Sequence, residues 1–156
     1  MLTTIPVKEA EELFKKGVRL VETNHLEQAA TLFETALGLE QQNGGEPSPR
    51  IMSYYGYTMA FARKKYNDGI KLCKAAVEKE FFNPDLFFNL GDIYLARGDK
   101  KSARVAFRRG LSLAPNHPKI RARIKEMGVR RSSVIPFLGR DHFLNRFLGV
   151  LFREAD

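Results

Sequence analysis

The sequence predicts an all-α protein that is built from three helix pairs. Small residues recur in register along the chain, and bulky residues follow them at a fixed spacing. Between these positions, apolar residues return every three or four residues, which is the period of an amphipathic helix. Turn-forming residues cluster between the periodic stretches, most densely over residues 41–49.

The register becomes visible when small residues of the second helices are aligned. The aligned sets are Ala29, Gly69 and Ala103; Phe33, Cys73 and Phe107; Ala36, Ala76 and Gly110; and, in the preceding helices, Gly17, Gly56 and Gly91. Small residues let two helices cross closely, and the bulky residue fills the next layer. Each set contains one residue from each of three segments, so the register predicts three helix pairs.

The individual helices follow from periodicity and from their start and stop signals. Asn83 can cap a helix that has Pro84 at its first position, and Pro115 ends the helix after the Gly98 turn. One extra residue between Gly56 and Gly69 predicts a longer turn or a bulge in the first helix of the second pair. The predicted helices span residues 8–22, 26–39, 50–64, 67–80, 84–97, 100–113 and 117–127.

The third pair resembles a known repeat family. Its pattern of Phe87, Leu90-Gly91, Tyr94, Ala103, Phe107 and Pro115 is similar to the tetratricopeptide (TPR) signature of a bulky residue, Leu-Gly, Tyr, Ala, Phe and Pro. The resemblance implies a right-handed α-solenoid of three TPR helix pairs with a capping helix and a short C-terminal helix. The implied organisation is a TPR domain over 1–128, with repeats at about 10–43, 49–83 and 84–117 and the cap at 117–127, then a hinge and amphipathic tail over 129–156.

Charge is concentrated near the C-terminus. The net charge of the chain is +8, and residues 97–153 hold fifteen basic and three acidic side chains. This asymmetry indicates either an anionic partner, such as membrane headgroups or RNA, or a solubilising face on exposed helices. No RNA- or DNA-reading motif accompanies the basic residues, so we rank nucleic acid below the other partners.

The residues that often carry catalysis have no partners at the required spacing. His25, His117 and His142 lack a Cys, His or carboxylate at metal-ligand spacing. Cys73 stands at a buried repeat position, and no Gly-x-Ser-x-Gly elbow or phosphate-binding loop is present. We therefore expect a binding protein, without a metal or cofactor, and not an enzyme.

In TPR proteins the first helix of each pair lines a groove, and the resemblance places the binding residues there. Chaperone-binding TPR domains hold a C-terminal carboxylate with Lys and Asn at positions where this chain has Phe14, Val18, Ser53 and Phe88, so that function is not carried over. An aromatic groove suits an apolar peptide or amphipathic helix, although Phe14 and Phe88 could equally be core. The predicted groove residues are Phe14, Val18, Arg50, Tyr57, Phe61, Phe88 and Asp92.

The C-terminal segment predicts a conditional helix. Asp141 can cap a stretch in which apolar residues recur at helical spacing. So short a helix is marginal alone and needs a surface: its own repeats in cis or in a dimer, another protein, or a membrane surface. An Ile-Pro-Phe-Leu stretch with a short-helix ending also resembles small bacterial TPR proteins. The predicted docking residues are Phe143, Leu144, Phe147, Leu148 and Leu151.

The expected location is the cytoplasm. The lone Cys73 rules out a disulfide within the chain, and the N-terminus has no signal-peptide pattern. We expect a protein or peptide partner, a homodimer through the tail as one possibility, and peripheral membrane contact as another. The sequence thus predicts an adaptor that binds another protein, with an anionic-surface binder as the alternative.

Overall fold

The computed structural model describes the backbone of residues 4–42 and 44–128 and confirms the all-α prediction. Its helices are α1 Thr4–Glu22, α2 Leu26–Gln42, α3 Pro49–Arg63, α4 Tyr66–Lys79, α5 Pro84–Ala96, α6 Lys100–Leu113 and α7 Pro118–Glu126. The predicted boundaries agree to within a few residues, with the largest difference at the start of α1. That helix includes Pro6 in its first turn. Proline has no amide hydrogen, and amides in the first turn have no acceptor within the helix, so no helical hydrogen bond is lost.

Consecutive helices pack as three pairs, α1 with α2, α3 with α4, and α5 with α6. The second helix of one pair contacts the first helix of the next, and α3 contacts both α1 and α5. The three first helices therefore lie side by side. None of the described helices is both long enough and apolar enough to cross a bilayer.

Two apolar clusters form the core. The first joins α1, α2 and the start of α3 around Ala10, Phe14, Ala29, Phe33, Ala36 and Ile51. The second joins α3, α4, α5 and α6 around Ala60, Ile70, Cys73, Leu90, Ile93 and Ala106. The aligned small and bulky residues thus provide most of the interior, as the repeat pattern predicts.

The aligned glycines mark the points where paired helices come closest. A Cβ atom at Gly17 would lie 2.5 Å from Cε1 of Phe33, and one at Gly91 would lie 2.4 Å from Cε1 of Phe107. In the second pair, a Cβ at Gly69 would instead lie 2.4 Å from the carbonyl oxygen of Gly56. Any larger side chain at these positions would have to move its neighbour.

The extra residue of the second pair is accommodated at the end of α3. The Lys64 amide donates to the carbonyl of Met59, five residues back instead of the usual four. Lys64 itself adopts the left-handed conformation at φ 58°. α3 continues for seven residues past Gly56, whereas α1 and α5 continue for five past Gly17 and Gly91. The connection to α4 has two residues, and the other two pairs have three. The extra residue therefore lengthens the helix, and the connection is not longer.

The last described helix packs on the third pair. Ile120 of α7 is fully buried, and its Cδ1 would lie 2.4 Å from a Cβ at Gly110 of α6. The chain divides into two units between Ile124 and Lys125, and the second unit is described only over residues 125–128. The predicted domain boundary at residue 128 stays a prediction.

Candidate partner-binding site

The three first helices together form a surface pocket of about 280 Å³. The pocket brings together three of the predicted groove residues, Phe14, Val18 and Arg50. Its full lining is Phe14, Lys15, Val18 and Arg19 of α1, Arg50 and Tyr54 of α3, and Asn83, Asp85 and Leu86 at the start of α5. A ligand here would contact all three helix pairs at once.

An aromatic cluster underlies the pocket. Phe14 is only 3% exposed, and its ring packs edge-on against Tyr54 at a centroid distance of 5.4 Å. Phe33 lies behind it at 5.9 Å. The guanidinium of Arg50 sits above the Phe14 ring, 4.6 Å from its centroid, in a cation–π contact. Phe14 is thus both a core residue and part of the pocket wall.

The charges at the pocket are mostly positive. Lys15 contacts Glu12 at 3.2 Å between Nζ and Oε1. Arg19 and Arg50 form no ion pair with any side chain that the structure describes. Burial raises the pKa of Tyr54 to about 12, and the nearby Asp85 and Glu22 carboxylates add to this. At neutral pH the pocket therefore offers two guanidinium groups and a protonated phenol.

Asp92 lies in a buried polar clamp. The side chain is 3% exposed, and Arg123 of α7 contacts it with 2.6 Å between Nε and Oδ1. The hydroxyl of Tyr57 donates to Oδ2 of Asp92 over 3.3 Å. Burial, followed by the Asp92 charge, raises the pKa of Tyr57. This clamp joins α3, α5 and α7, and its carboxylate is turned away from solvent.

The remaining predicted groove residues are half-buried. Phe61 packs against the Tyr57 ring with 4.5 Å between centroids. Phe88 lies between the rings of Phe107 and His117, at 6.5 Å and 6.1 Å. Phe88 thus contributes to the packing of α7 on α5. Partner binding by Tyr57, Phe61 and Phe88 stays a prediction.

His117 orients the start of α7. Its Nδ1 accepts a hydrogen bond from the Ile120 amide at 3.3 Å, and its Nε2 lies 3.0 Å from Oδ1 of Asp85. One neutral tautomer satisfies both contacts, because Nε2–H donates while Nδ1 accepts. His117 thus lies at the start of the helix that the sequence predicts over residues 117–127.

A second buried polar network joins the second and third pairs. Asn89 Nδ2 donates to Ser53 Oγ over 3.1 Å, and the Cys73 thiol donates to the Ser53 carbonyl over 3.3 Å. Burial raises the pKa of the Cys73 thiol to about 12, so the thiolate nucleophile is not formed at neutral pH. Ser53, a predicted groove position, is fully buried in this network.

The structure groups no three His, Cys, Asp or Glu side chains into a metal-binding cluster within its described residues. The predicted tail-docking residues Phe143, Leu144, Phe147, Leu148 and Leu151 lie outside the described residues. Their role stays a prediction.

Comparison with known proteins identifies the repeat. Residues 84–117 match the model of the tetratricopeptide repeat family. The TPR domain of Arabidopsis OM64 superimposes with a TM-score of 0.63 at 15% identity, covering 78% of this chain and 96% of its own. The chain carries a tetratricopeptide repeat and has that family's fold. No curated protein matches this chain.

Two further TPR structures were solved with a bound segment of another protein. The first TPR of Spaghetti (RPAP3), bound to the HSP90 peptide SRMEEVD, has a TM-score of 0.61 at 17% identity, covering 77% of this chain and 90% of its own. PcrH of Pseudomonas aeruginosa, in complex with the chaperone binding region of PopB, has a TM-score of 0.57 at 19% identity, covering 76% and 93%. At these identities the likeness concerns the fold.

Sequence reasoning missed several residues of the pocket on α1, α3 and α5. Lys15, Arg19 and Tyr54 were not predicted, and neither were Asn83 and Leu86. The missed signal is helical spacing, because Lys15 and Arg19 are four residues apart and flank Val18 on one side of α1. Asn83 was recognised as a helix cap, and its side chain does accept a hydrogen bond from the Asp85 amide over 3.1 Å.

Proposed function

We propose that this protein is a non-catalytic interaction scaffold that binds a segment of another protein in the pocket on α1, α3 and α5. The observation that carries this proposal is the pocket itself, because it is lined by all three helix pairs and combines an apolar wall with two guanidinium groups that form no ion pair with a described side chain. Small pockets that mix an apolar wall with a few polar anchors suit a side chain and its neighbouring charge.

The TPR structures with bound partners support this proposal. The Spaghetti TPR and PcrH each hold a segment of another protein, and both share the fold of this chain. The likeness makes peptide binding a reasonable use of the same scaffold. The residues that would do it here come from this chain's own pocket.

The pocket favours a ligand with an apolar side chain next to a carboxylate. The half-buried side chains of Val18 and Tyr54 can bury the apolar group against the Phe14 wall. Arg19 and Arg50 can each form charge-assisted hydrogen bonds with an anion. The apolar peptide predicted from the sequence is therefore refined to an apolar segment with an acidic neighbour.

Selection from a random peptide library displayed on phage tests the proposal with the full chain. Peptides enriched on the wild-type protein should bind it with a Kd of about 1–100 μM, and Arg19→Glu/Arg50→Glu should weaken them at least about tenfold. The matched control is Lys71→Glu/Lys74→Glu, which reverses the same charge on exposed residues of α4. No enrichment, or equal loss in both variants, would refute the proposed site.

The chain's own C-terminal segment is a second candidate occupant. If Leu144, Phe147 and Leu148 dock on the repeats, a chain ended after Arg131 should bind the selected peptides more tightly. If they dock on a second copy, the same truncation should lower the mass in solution. Equal affinity and equal mass would show that the segment docks on neither.

A further inference from the structure

The outer side of the third helix pair carries unneutralised positive charge. α6 contains Lys100, Lys101, Arg104, Arg108 and Arg109 and no acidic residue. None of the five forms an ion pair with another described side chain. Like charges this dense on one helix repel one another, so an anion that neutralises them would be stabilised.

A second pocket, of about 490 Å³, lies between α5 and α6 beside these charges. Phe87, Leu90 and Tyr94 of α5 and Val105 and Ala106 of α6 give it a largely apolar lining, with Lys101 and Arg109 also on its wall. It shares no residue with the pocket on α1, α3 and α5. Val105 is 63% exposed, which is unusual for a large apolar residue in this structure.

We infer that this second pocket is a separate docking surface for an amphipathic helix of a partner protein whose apolar stripe is flanked by acidic residues. The stripe would fill the recess between α5 and α6 and cover Val105. The flanking carboxylates would pair with Lys101 and Arg109. Both the apolar lining and the charge beside it are then used by one ligand.

The shape of the surface favours an acidic helix over a nucleic acid or an anionic bilayer. A nucleic-acid backbone would neutralise the cations but would leave Leu90, Val105 and Ala106 uncovered. A bilayer is broad and flat, so its headgroups would meet the cations without filling a recess between two helices. The chain's own residues 140–153 carry Arg140, Arg146 and Arg153, which the positive face of α6 would repel.

A designed peptide tests this inference with the full chain. The probe is a fluorescein-labelled peptide with Leu at positions i, i+3, i+4 and i+7 and Glu elsewhere, and its binding is followed by fluorescence anisotropy. We expect Lys101→Glu/Arg109→Glu to weaken binding by about tenfold or more. The control Lys8→Glu/Lys16→Glu makes the same charge change on exposed residues of α1 and should change affinity by less than about twofold.

A second variant tests the apolar part of the surface. Val105→Glu changes an exposed residue, so the fold should persist by circular dichroism while the peptide is lost. A peptide with Lys in place of Glu should not bind. If it binds equally well, or if Val105→Glu leaves the affinity unchanged, the inference is wrong.

The location of the peptide separates this surface from the first pocket. In a 15N-labelled full chain, the amide signals of α6 should move on titration, and Arg19→Glu/Arg50→Glu should leave the affinity unchanged. Signals that move only in α1 and α3 would overturn the inference and support the first pocket. Displacement of the peptide by oligouridylate or by phosphatidylserine vesicles at lower charge concentration would overturn it in favour of RNA or membrane.

Discussion

The second and third helix pairs solve the same packing problem in different ways. In the third pair, Gly91 faces the ring of Phe107. In the second pair, the bulky position holds Cys73, and Gly56 meets the backbone of Gly69. The small and bulky positions therefore change together. When the bulky residue shrinks, a second glycine lets the two backbones approach and fill the same space.

The two pairs also differ in how they hold the next element. The second pair joins the third through neutral groups, with Ser53 accepting from Asn89. The third pair joins α7 through charge, with Arg123 on the buried carboxylate of Asp92. The inner junction is a fully enclosed network, whereas Arg123 at the outer junction is about one-third exposed. The outer junction is thus the one that solvent conditions can reach.

The largest expected effect tests the two modes of helix crossing. Gly69→Ala would push a Cβ against the Gly56 carbonyl, which only a backbone shift can relieve, so we expect a loss of about 3 kcal/mol in the free energy of unfolding. Gly91→Ala meets a ring that can tilt, and should lose less. Urea denaturation measures both.

Gly38 of α2 is the matched control for these two variants. A Cβ there would meet nothing within 4 Å. Gly38→Ala should therefore be neutral or stabilise the protein by up to about 1 kcal/mol through helix propensity. Equal losses from Gly69→Ala and Gly91→Ala would show that the two crossings do not differ in rigidity.

The next effect concerns the charged junction. Arg123→Ala would remove the guanidinium from the buried Asp92 carboxylate, which also accepts a hydrogen bond from Tyr57, and should cost about 2 kcal/mol in thermal or urea unfolding. Adding Asp92→Asn should recover part of that loss, because no buried charge remains. Arg121→Ala, on the exposed side of α7, is the control. No recovery in the double variant would argue against a charge effect.

The neutral junction should be slightly less costly to break. Ser53→Ala removes the acceptor of the Asn89 amide in a buried site, so we expect a loss of about 1–2 kcal/mol in the free energy of unfolding. Ser112→Ala on the exposed face of α6 should change it by less than about 0.5 kcal/mol. A Ser53→Ala loss well above that of Arg123→Ala would reverse the ranking of the two junctions.

The smallest expected effect is a loss of stability at alkaline pH that comes from the buried Cys73 thiol. The folded Cys73 thiol has its pKa raised to about 12 from 9.0, so above pH 9 the unfolded chain loses this proton and the folded chain keeps it. Stability from this group is complete below pH 9 and falls as pH rises, by about 1.4 kcal/mol at pH 10. Wild type should therefore lose stability faster than Cys73→Ala between pH 8 and 10. Parallel curves would contradict the burial of the thiol.

Much of the fold could be predicted because the repeat places small residues at the positions where its paired helices cross. Gly17, Gly91 and Phe107 sit where two helices must approach, and their residue types reveal this without knowledge of distant neighbours. Asp92 is different. Its position on α5 predicts a groove residue, but its burial depends on Arg123, which lies thirty-one residues away. Local periodicity carries no information on such a pairing.

The candidate site was predicted in part for the same reason. The register identified α1, α3 and α5 as the lining helices, and Val18 and Arg50 are in the pocket. Arg19 was missed because it lies at the edge of the apolar stripe, where sequence alone does not separate a solvated charge from a pocket wall. The pocket beside α6 was missed because Phe87 and Leu90 look like ordinary core residues of the repeat.

The end of α3 shows where the length of a helix differs between pairs. α3 continues further past its glycine than α1 and α5 do, and Gly56 still contacts Gly69. Deletion of Lys64 would restore the length found in the other two pairs. The length of a first helix is therefore set independently of the point at which its glycine crosses the second helix.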